Sequence, residues 1–166
     1  MFHLKQLFRI GKSAPAAPPK SALLASESIK LVAITQNQED RKSLRDIAAS
    51  FAWNISIVDS SAAAVDLLQQ QPTPLVICDS DLNGEDWRAA LSRIAALPQA
   101  VCVLLASRVT DEYLRNEVTR CHGYDIVIKP FQREELRRAV TFAWSWRGWT
   151  SRHRAGVLRT PDRSSS

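Results

Sequence analysis

An acidic residue stands where a buried strand is predicted to end. Asp79 follows the uninterrupted apolar run Pro74-Leu75-Val76-Ile77-Cys78, and Asn83-Gly84 comes shortly afterwards. A short apolar run between proline and Asn-Gly is typical of a strand buried on both faces. Open α/β sheets bind ligands and carry out reactions at the carboxyl ends of their strands, so Asp79 is a candidate reactive carboxylate. The alternative is that Asp79 only caps a turn, where aspartate is common.

Apolar periodicity predicts the elements that position this acid. Strands are predicted near residues 31–34, 55–58, 74–78, 101–105 and 126–128. A helix with one apolar face follows each strand. Ser60-Ser61 is predicted to cap the second helix and Thr110 the fourth, which Gly123 would close. The inward residues of the first, third and last helices are Leu44, Ile47, Ala48 and Phe51; Trp87, Ala90, Leu91 and Ile94; and Leu136, Ala139, Val140 and Ala143.

This alternation predicts the fold class. Each crossover is long enough to join parallel strands, so the chain is expected to form a doubly wound α/β domain with a five-stranded parallel sheet. The usual strand order for five strands is 2-1-3-4-5, which makes strands 1 and 3 neighbours. Asp79 would then face the residues that follow Ile34.

Composition indicates a soluble chain of 166 residues with basic ends and an acidic middle. Residues 1–20 and 147–166 each carry a net charge of +4, whereas the whole chain carries +5. Because the basicity belongs to the ends, it is weak evidence that the folded body binds nucleic acid. Three cysteines without C-x-x-C spacing predict neither a disulfide framework nor a zinc site. The sequence shows no apolar run near the length of a membrane span and no signal peptide, which predicts a cytoplasmic protein.

The chain divides into three predicted segments. Residues 1–28 combine a basic amphipathic stretch with a Pro/Ala linker, residues 29–146 form the domain, and residues 147–166 form a disordered basic tail. In residues 1–12, Leu4, Leu7 and Phe8 share one helical stripe, so this stretch is a candidate for docking on an anionic membrane or a partner. A frayed terminus with chance periodicity is the alternative.

The body resembles the receiver domain of bacterial two-component response regulators. The likeness rests on the apolar run ending in Asp79, on Asn83-Gly84, and on Ile126-Val127-Ile128-Lys129-Pro130-Phe131. It implies a flavodoxin-like (βα)5 fold. It also implies that Asp79 accepts a phosphoryl group from a histidine kinase or phosphotransfer protein and that Lys129 pairs with the phosphate. A non-enzymatic signalling module that binds a downstream protein is the expected function.

The resemblance is incomplete at the acidic pocket and at the switch. Family members hold magnesium with two acids after strand one, where this chain has Thr35 and Gln36. Asp79, helped by Asp81, would bind Mg²⁺ only weakly. Nearby Glu39 and Asp40 are expected to cap the first helix. Receivers usually have a hydroxyl residue at the end of strand four and an aromatic residue in strand five. This chain has Leu105 and Ile126 at those positions, and Ser107 could substitute only if the strand shifts. A phosphorylation-independent adaptor is therefore the alternative function.

Two further classes of protein, phosphatases and nucleic-acid-binding proteins, share part of this pattern. Asp79-Ser80-Asp81 with a distant lysine also resembles haloacid-dehalogenase phosphatases, but the only acidic pair after Lys129 is Glu134-Glu135. The arginines and tryptophans between Trp144 and Arg163 could stack nucleic-acid bases. Packing of Trp144 or Trp146 on the body is the favoured alternative. His122 beside Cys121 is interpreted as a helix end and not as a nucleophile pair.

Overall fold

A single parallel sheet with helices on both faces organises the protein. The computed structural model describes the backbone of residues 28–157 and the side chains of residues 28–146. The strands are β1 (Lys30–Ile34), β2 (Asn54–Val58), β3 (Leu75–Asp79), β4 (Cys102–Ser107) and β5 (Asp125–Ile128). The helices are α1 (Gln38–Ser50), α2 (Ser61–Gln70), α3 (Trp87–Ala95), α4 (Glu112–Arg120) and α5 (Arg133–Val157). The strand order is β2-β1-β3-β4-β5, which confirms the predicted doubly wound fold.

The sheet separates the core into two layers, with β3 at its centre. All five residues of β3 are buried, as expected for a strand covered on both faces. Leu75 and Ile77 pack in the layer that includes α1 and α5, whereas Val76 and Cys78 pack with α2, α3 and α4. This alternation follows from the two-residue period of a strand. The predicted inward residues of α3 are all buried.

Helix ends depart from the predictions at two places in α4. Asp111, and not Thr110, caps the helix by accepting a hydrogen bond from the Leu114 N–H. At the other end His122 adopts the left-handed conformation (φ 64°), and the Gly123 N–H bonds the Val118 carbonyl at 2.8 Å. Glycine is needed at 123 for space, since a Cβ there would collide with a Val118 methyl carbon. By contrast, Ser60 caps α2 as predicted.

Two element boundaries lie further along the chain than the sequence predicted. β4 continues to Ser107, beyond the expected end at residue 105. The backbone of α5 continues to Val157, so the last helix does not end at the predicted domain boundary of residue 146. Among residues 28–157, none of the helices combines the length and hydropathy that a membrane span requires. The amphipathic segment at residues 1–12 lies outside the described residues.

Candidate functional site

Asp79 and Lys129 meet at the carboxyl edge of the sheet. Asp79 is the last residue of β3, and Lys129 follows the last residue of β5. β4 lies between these strands, so the long lysine side chain must cross roughly 10 Å of sheet to reach β3. Its Nζ donates to Asp79 Oδ1 at 2.7 Å. The predicted convergence of these two residues is therefore confirmed.

Thr35 occupies the position directly beside this pair. It follows β1, and β1 pairs with β3 so that Ile34 lies opposite Cys78. The Thr35 hydroxyl donates to Asp79 Oδ2 at 2.9 Å, and its oxygen accepts from the Asn37 N–H at 3.2 Å. A neutral hydroxyl thus contacts the carboxylate where the resembled family has an acid.

Gln36 ties three loops together and does not point its amide at Asp79. Its Nε2 donates to the Asp59 carbonyl at 2.9 Å and to the Asn83 carbonyl at 3.4 Å. Its Oε1 accepts from the Asn83 N–H at 2.9 Å. The loops after β1, β2 and β3 are therefore cross-linked by one side chain, which is a structural use of a position that the resemblance assigns to metal binding.

Asp40 joins the site although sequence reasoning assigned it to helix capping. Asn37 caps α1, because its side-chain oxygen accepts from the N–H groups of Glu39 and Asp40. The Asp40 carboxylate is free to turn inward and accepts from Lys129 Nζ at 2.9 Å. Glu39 remains exposed. An acid in the first turn of a helix can cap the helix or turn inward to bind a cation. Because Asn37 caps α1, Asp40 is available to bind Lys129.

Lys129 is thus a buried ammonium shared by two carboxylates. Its side chain is 3% exposed, and those of Asp79 and Asp40 are 2% and 12% exposed. Burial by itself would lower the pKa of Lys129, but the hydrogen bonds to Asp79 and Asp40 outweigh it and raise that pKa above its ordinary value. The lysine therefore remains charged and neutralises one of the two acids.

The residues present do not fit a magnesium site. Mg²⁺ prefers carboxylate oxygens and several retained waters. Both Asp79 oxygens are already engaged, because Oδ1 accepts from Lys129 and from the Asp81 N–H, and Oδ2 accepts from Thr35. The Asp81 residue is exposed, and its contact with Asp79 is made by the backbone. Across the described part of the chain, no three acidic, histidine or cysteine residues are grouped as a metal site requires.

One of the two switch positions in β4 and β5 is placed differently from the prediction. Leu105 was predicted to stand at the end of β4, but it lies inside the strand, is fully buried, and is paired with Ile126 of β5. Both side chains belong to the apolar layer that includes α3 and α4. Ser107 ends β4, is buried, and accepts from the Val109 N–H at 3.1 Å. The chain therefore has a hydroxyl at the end of β4, two residues beyond Leu105. Ile126 leaves β5 without an aromatic at its position.

The rival sites are not assembled around Asp79. Glu134 pairs with Arg137 at 2.8 Å on the exposed side of α5, so it supplies no second acidic pair to Lys129. Cys121 and His122 lie where α4 leads into β5, at the opposite edge of the sheet from Asp79. Burial raises the pKa of the Cys78 thiol to about 12, helped by the adjacent Asp79 charge, so this cysteine is an inert core residue. For the stacking hypothesis, Trp146 lies against Tyr124 with ring centroids 6.2 Å apart, and the side chains of residues 147–163 lie outside the described set.

Comparison with known proteins gives one consistent result. The model of the response regulator receiver domain family matches residues 31–141. The transcriptional regulatory protein ZraR of Escherichia coli K12 is 22% identical over 117 residues, which cover 70% of this chain and 26% of that protein. The chain thus spans about a quarter of the length of this relative.

Two solved structures with the same fold come from bacteria. A response regulator from Chloroflexus aurantiacus has a TM-score of 0.67 at 17% identity, over 72% of this chain and 99% of that one. The receiver domain of the sensor histidine kinase PA1611 from Pseudomonas aeruginosa, with magnesium in its active-site cleft, has a TM-score of 0.61 at 19% identity, over 68% and 94%. Since the family model spans most of the folded body and includes the strand ends that carry Asp79 and Lys129, the chain belongs to the response regulator receiver domain family.

Proposed function

We propose that this receiver domain works as a protein-binding adaptor whose state does not depend on phosphorylation of Asp79. One observation carries the proposal: both oxygens of the Asp79 carboxylate are held by groups of the protein itself, without the acidic pair that a metal needs. A carboxylate attacks an anionic phosphoryl donor efficiently only when positive charge neutralises the donor's oxygens. Here the single ammonium already serves two carboxylates.

Phosphoryl acceptance at Asp79 is the second candidate. The contact of 2.7 Å between Lys129 and Asp79, at the edge of the sheet where reactions occur, supports it. Ser107 supports it as well, because its hydroxyl ends β4. In this case a histidine kinase or phosphotransfer protein would be the donor and a downstream protein would be the target.

Labelling with acetyl phosphate or a cognate kinase separates these candidates. We expect little incorporation into the wild-type chain and none into Asp79→Asn. Partner binding by Asp79→Asn should stay within about twofold of wild type, since asparagine still offers an oxygen to Lys129 and the Thr35 hydroxyl can accept from the new amide. Rapid, stoichiometric labelling of wild type, together with loss of partner binding in Asp79→Asn, would make phosphoryl acceptance the function.

A membrane surface is a further proposed partner, through residues 1–12. Leu4, Leu7 and Phe8 provide the apolar stripe, while Lys5, Arg9 and Lys12 provide the charge. Binding to vesicles that contain anionic lipid should fall steeply as salt is raised, and a chain that starts at Ser21 should bind much less. Co-sedimentation of both chains with such vesicles is the measurement, and equal binding by the two would remove the anchor.

A further inference from the structure

Asp40 accepts a hydrogen bond from Lys129, the residue that pairs with the phosphoryl group in the resembled family. The ammonium has three N–H donors, of which one is directed to Asp79 and one to Asp40. In the resembled proteins this lysine pairs with the phosphoryl group on the strand-three acid. Asp40 does not stand at either of the family's acidic positions, which are Thr35 and Gln36 here, but one helical turn further along.

The position of Asp40 is fixed by its surroundings. Because Asn37 caps α1, the Asp40 carboxylate is not needed by the helix end. The residue is buried (9% exposed), and its side chain bonds the Lys129 ammonium. Its place in the first turn also favours a negative charge, since the helix dipole is positive there. A buried carboxylate with one cationic partner is thus built into the site.

We infer that Asp40 is an internal counter-anion, which takes the place of the phosphoryl group on Lys129 and keeps other anions out of the site. The inference deepens the proposed phosphorylation-independent function and rests on it. A phosphoryl group on Asp79 would turn this carboxylate into an acyl phosphate with a charge of up to about −2, beside the Asp40 carboxylate and with one ammonium to balance both. Repulsion between like charges is strong where water is excluded, so the anion already present disfavours the second one. In this role Asp40 is a positioning residue that acts through Lys129.

Neutral substitutions at position 40 test this role with inorganic phosphate as the probe. Asp40→Asn keeps the shape and removes the charge. We expect it to bind phosphate at least about tenfold more tightly than wild type, measured by calorimetry in metal-free buffer and by the rise in melting temperature with phosphate. Asp40→Glu should restore the wild-type behaviour, because it restores the anion. Glu39→Gln is the matched control, since it removes the same charge from the exposed neighbouring residue.

A signal from the lysine itself distinguishes this role from a merely structural ion pair. The NMR resonance of the Lys129 ammonium should move with added phosphate in Asp40→Asn and stay constant in wild type. If Asp40→Asn does not fold, Asp40→Ser is the second neutral variant. The wild-type resonance can be followed during the phosphate titration whether or not either variant folds. A phosphate-dependent shift in wild type would overturn the inference.

The outcomes separate the inference from the function on which it rests. Phosphate binding that is equally weak in wild type, Asp40→Asn and Glu39→Gln would overturn the role of Asp40 and leave the adaptor function standing. Equal gains in Asp40→Asn and Glu39→Gln would also overturn it, because they would show a general charge effect. Rapid labelling of wild-type Asp79 by acetyl phosphate would instead refute the proposed function itself. Tighter phosphate binding confined to the neutral variants at position 40 supports the inference.

Discussion

Replacing Lys129 with methionine is expected to destabilise the folded domain by about 3–5 kcal/mol, the usual cost of breaking a buried ion pair from one side. The ammonium is the shared partner of Asp79 and Asp40, and all three side chains are largely buried. Methionine fills a similar volume but leaves two carboxylates facing each other without a cation. Chemical denaturation of both proteins at neutral pH measures the difference in the free energy of unfolding.

The pH dependence of this difference follows from the raised pKa of Lys129. A lysine whose pKa is higher in the folded state contributes stability that is fully present below its unfolded value of 10.5 and is lost as the pH rises through the folded value. The gap between wild type and Lys129→Met should therefore be constant from neutral pH to about 10 and narrow above it.

Two variants control this prediction. Lys42→Met makes the same chemical change at an exposed position of α1 and should alter the unfolding free energy by no more than about 0.5 kcal/mol. Adding Asp40→Asn to Lys129→Met should recover part of the loss, because it removes one of the two uncompensated acids. A loss below about 1 kcal/mol in Lys129→Met would mean that water, and not the lysine, balances these carboxylates.

The fold and the meeting of Asp79, Thr35 and Lys129 were predictable from sequence because they follow from local periodicity. Alternating apolar runs and amphipathic helices determine a parallel sheet, and parallel strands bring all their carboxyl ends to one edge. That is sufficient to place Asp79, Thr35 and Lys129 together, as observed. The usual order of five such strands, 2-1-3-4-5, makes strands 1 and 3 neighbours.

The features that sequence missed are those decided by competition between neighbours. Asn37 and Asp40 are both good capping residues. Asn37, which directly precedes α1, caps the helix, so the Asp40 carboxylate is available to Lys129. Ser107 was placed beyond the strand because β4 was expected to end with its apolar run, yet the Lys129 N–H bonds the Ser107 carbonyl and extends the ladder. At the end of α4, His122 takes the left-handed conformation, and Gly123 follows where Val118 and Leu91 leave no room for a Cβ.

Restoring two acids after β1 is expected to raise magnesium affinity by at least about tenfold, the step that ~1.4 kcal/mol represents. Thr35→Asp should contribute most, since Thr35 touches Asp79 and a carboxylate there would add an oxygen ligand in place of a hydroxyl donor. Gln36→Asp adds a second acid but removes the amide that ties the loops to Asp59 and Asn83, so its gain is partly offset. The double variant is the full test.

Calorimetric titration with Mg²⁺ compares wild type with Thr35→Asp, Gln36→Asp and the double variant. Adding Asp79→Asn to the double variant should abolish the gain, which would locate the ion at this edge of the sheet. An added unit charge about 4 Å from the cation is worth up to ~4 kcal/mol at an effective dielectric near 20, so a tenfold rise is a conservative expectation. If wild type already binds magnesium as tightly as the double variant, then Asp81, Glu39 or Asp40 must complete the site. Asp40 would have to leave Lys129 to do so, and phosphorylation of Asp79 would then become the leading mechanism.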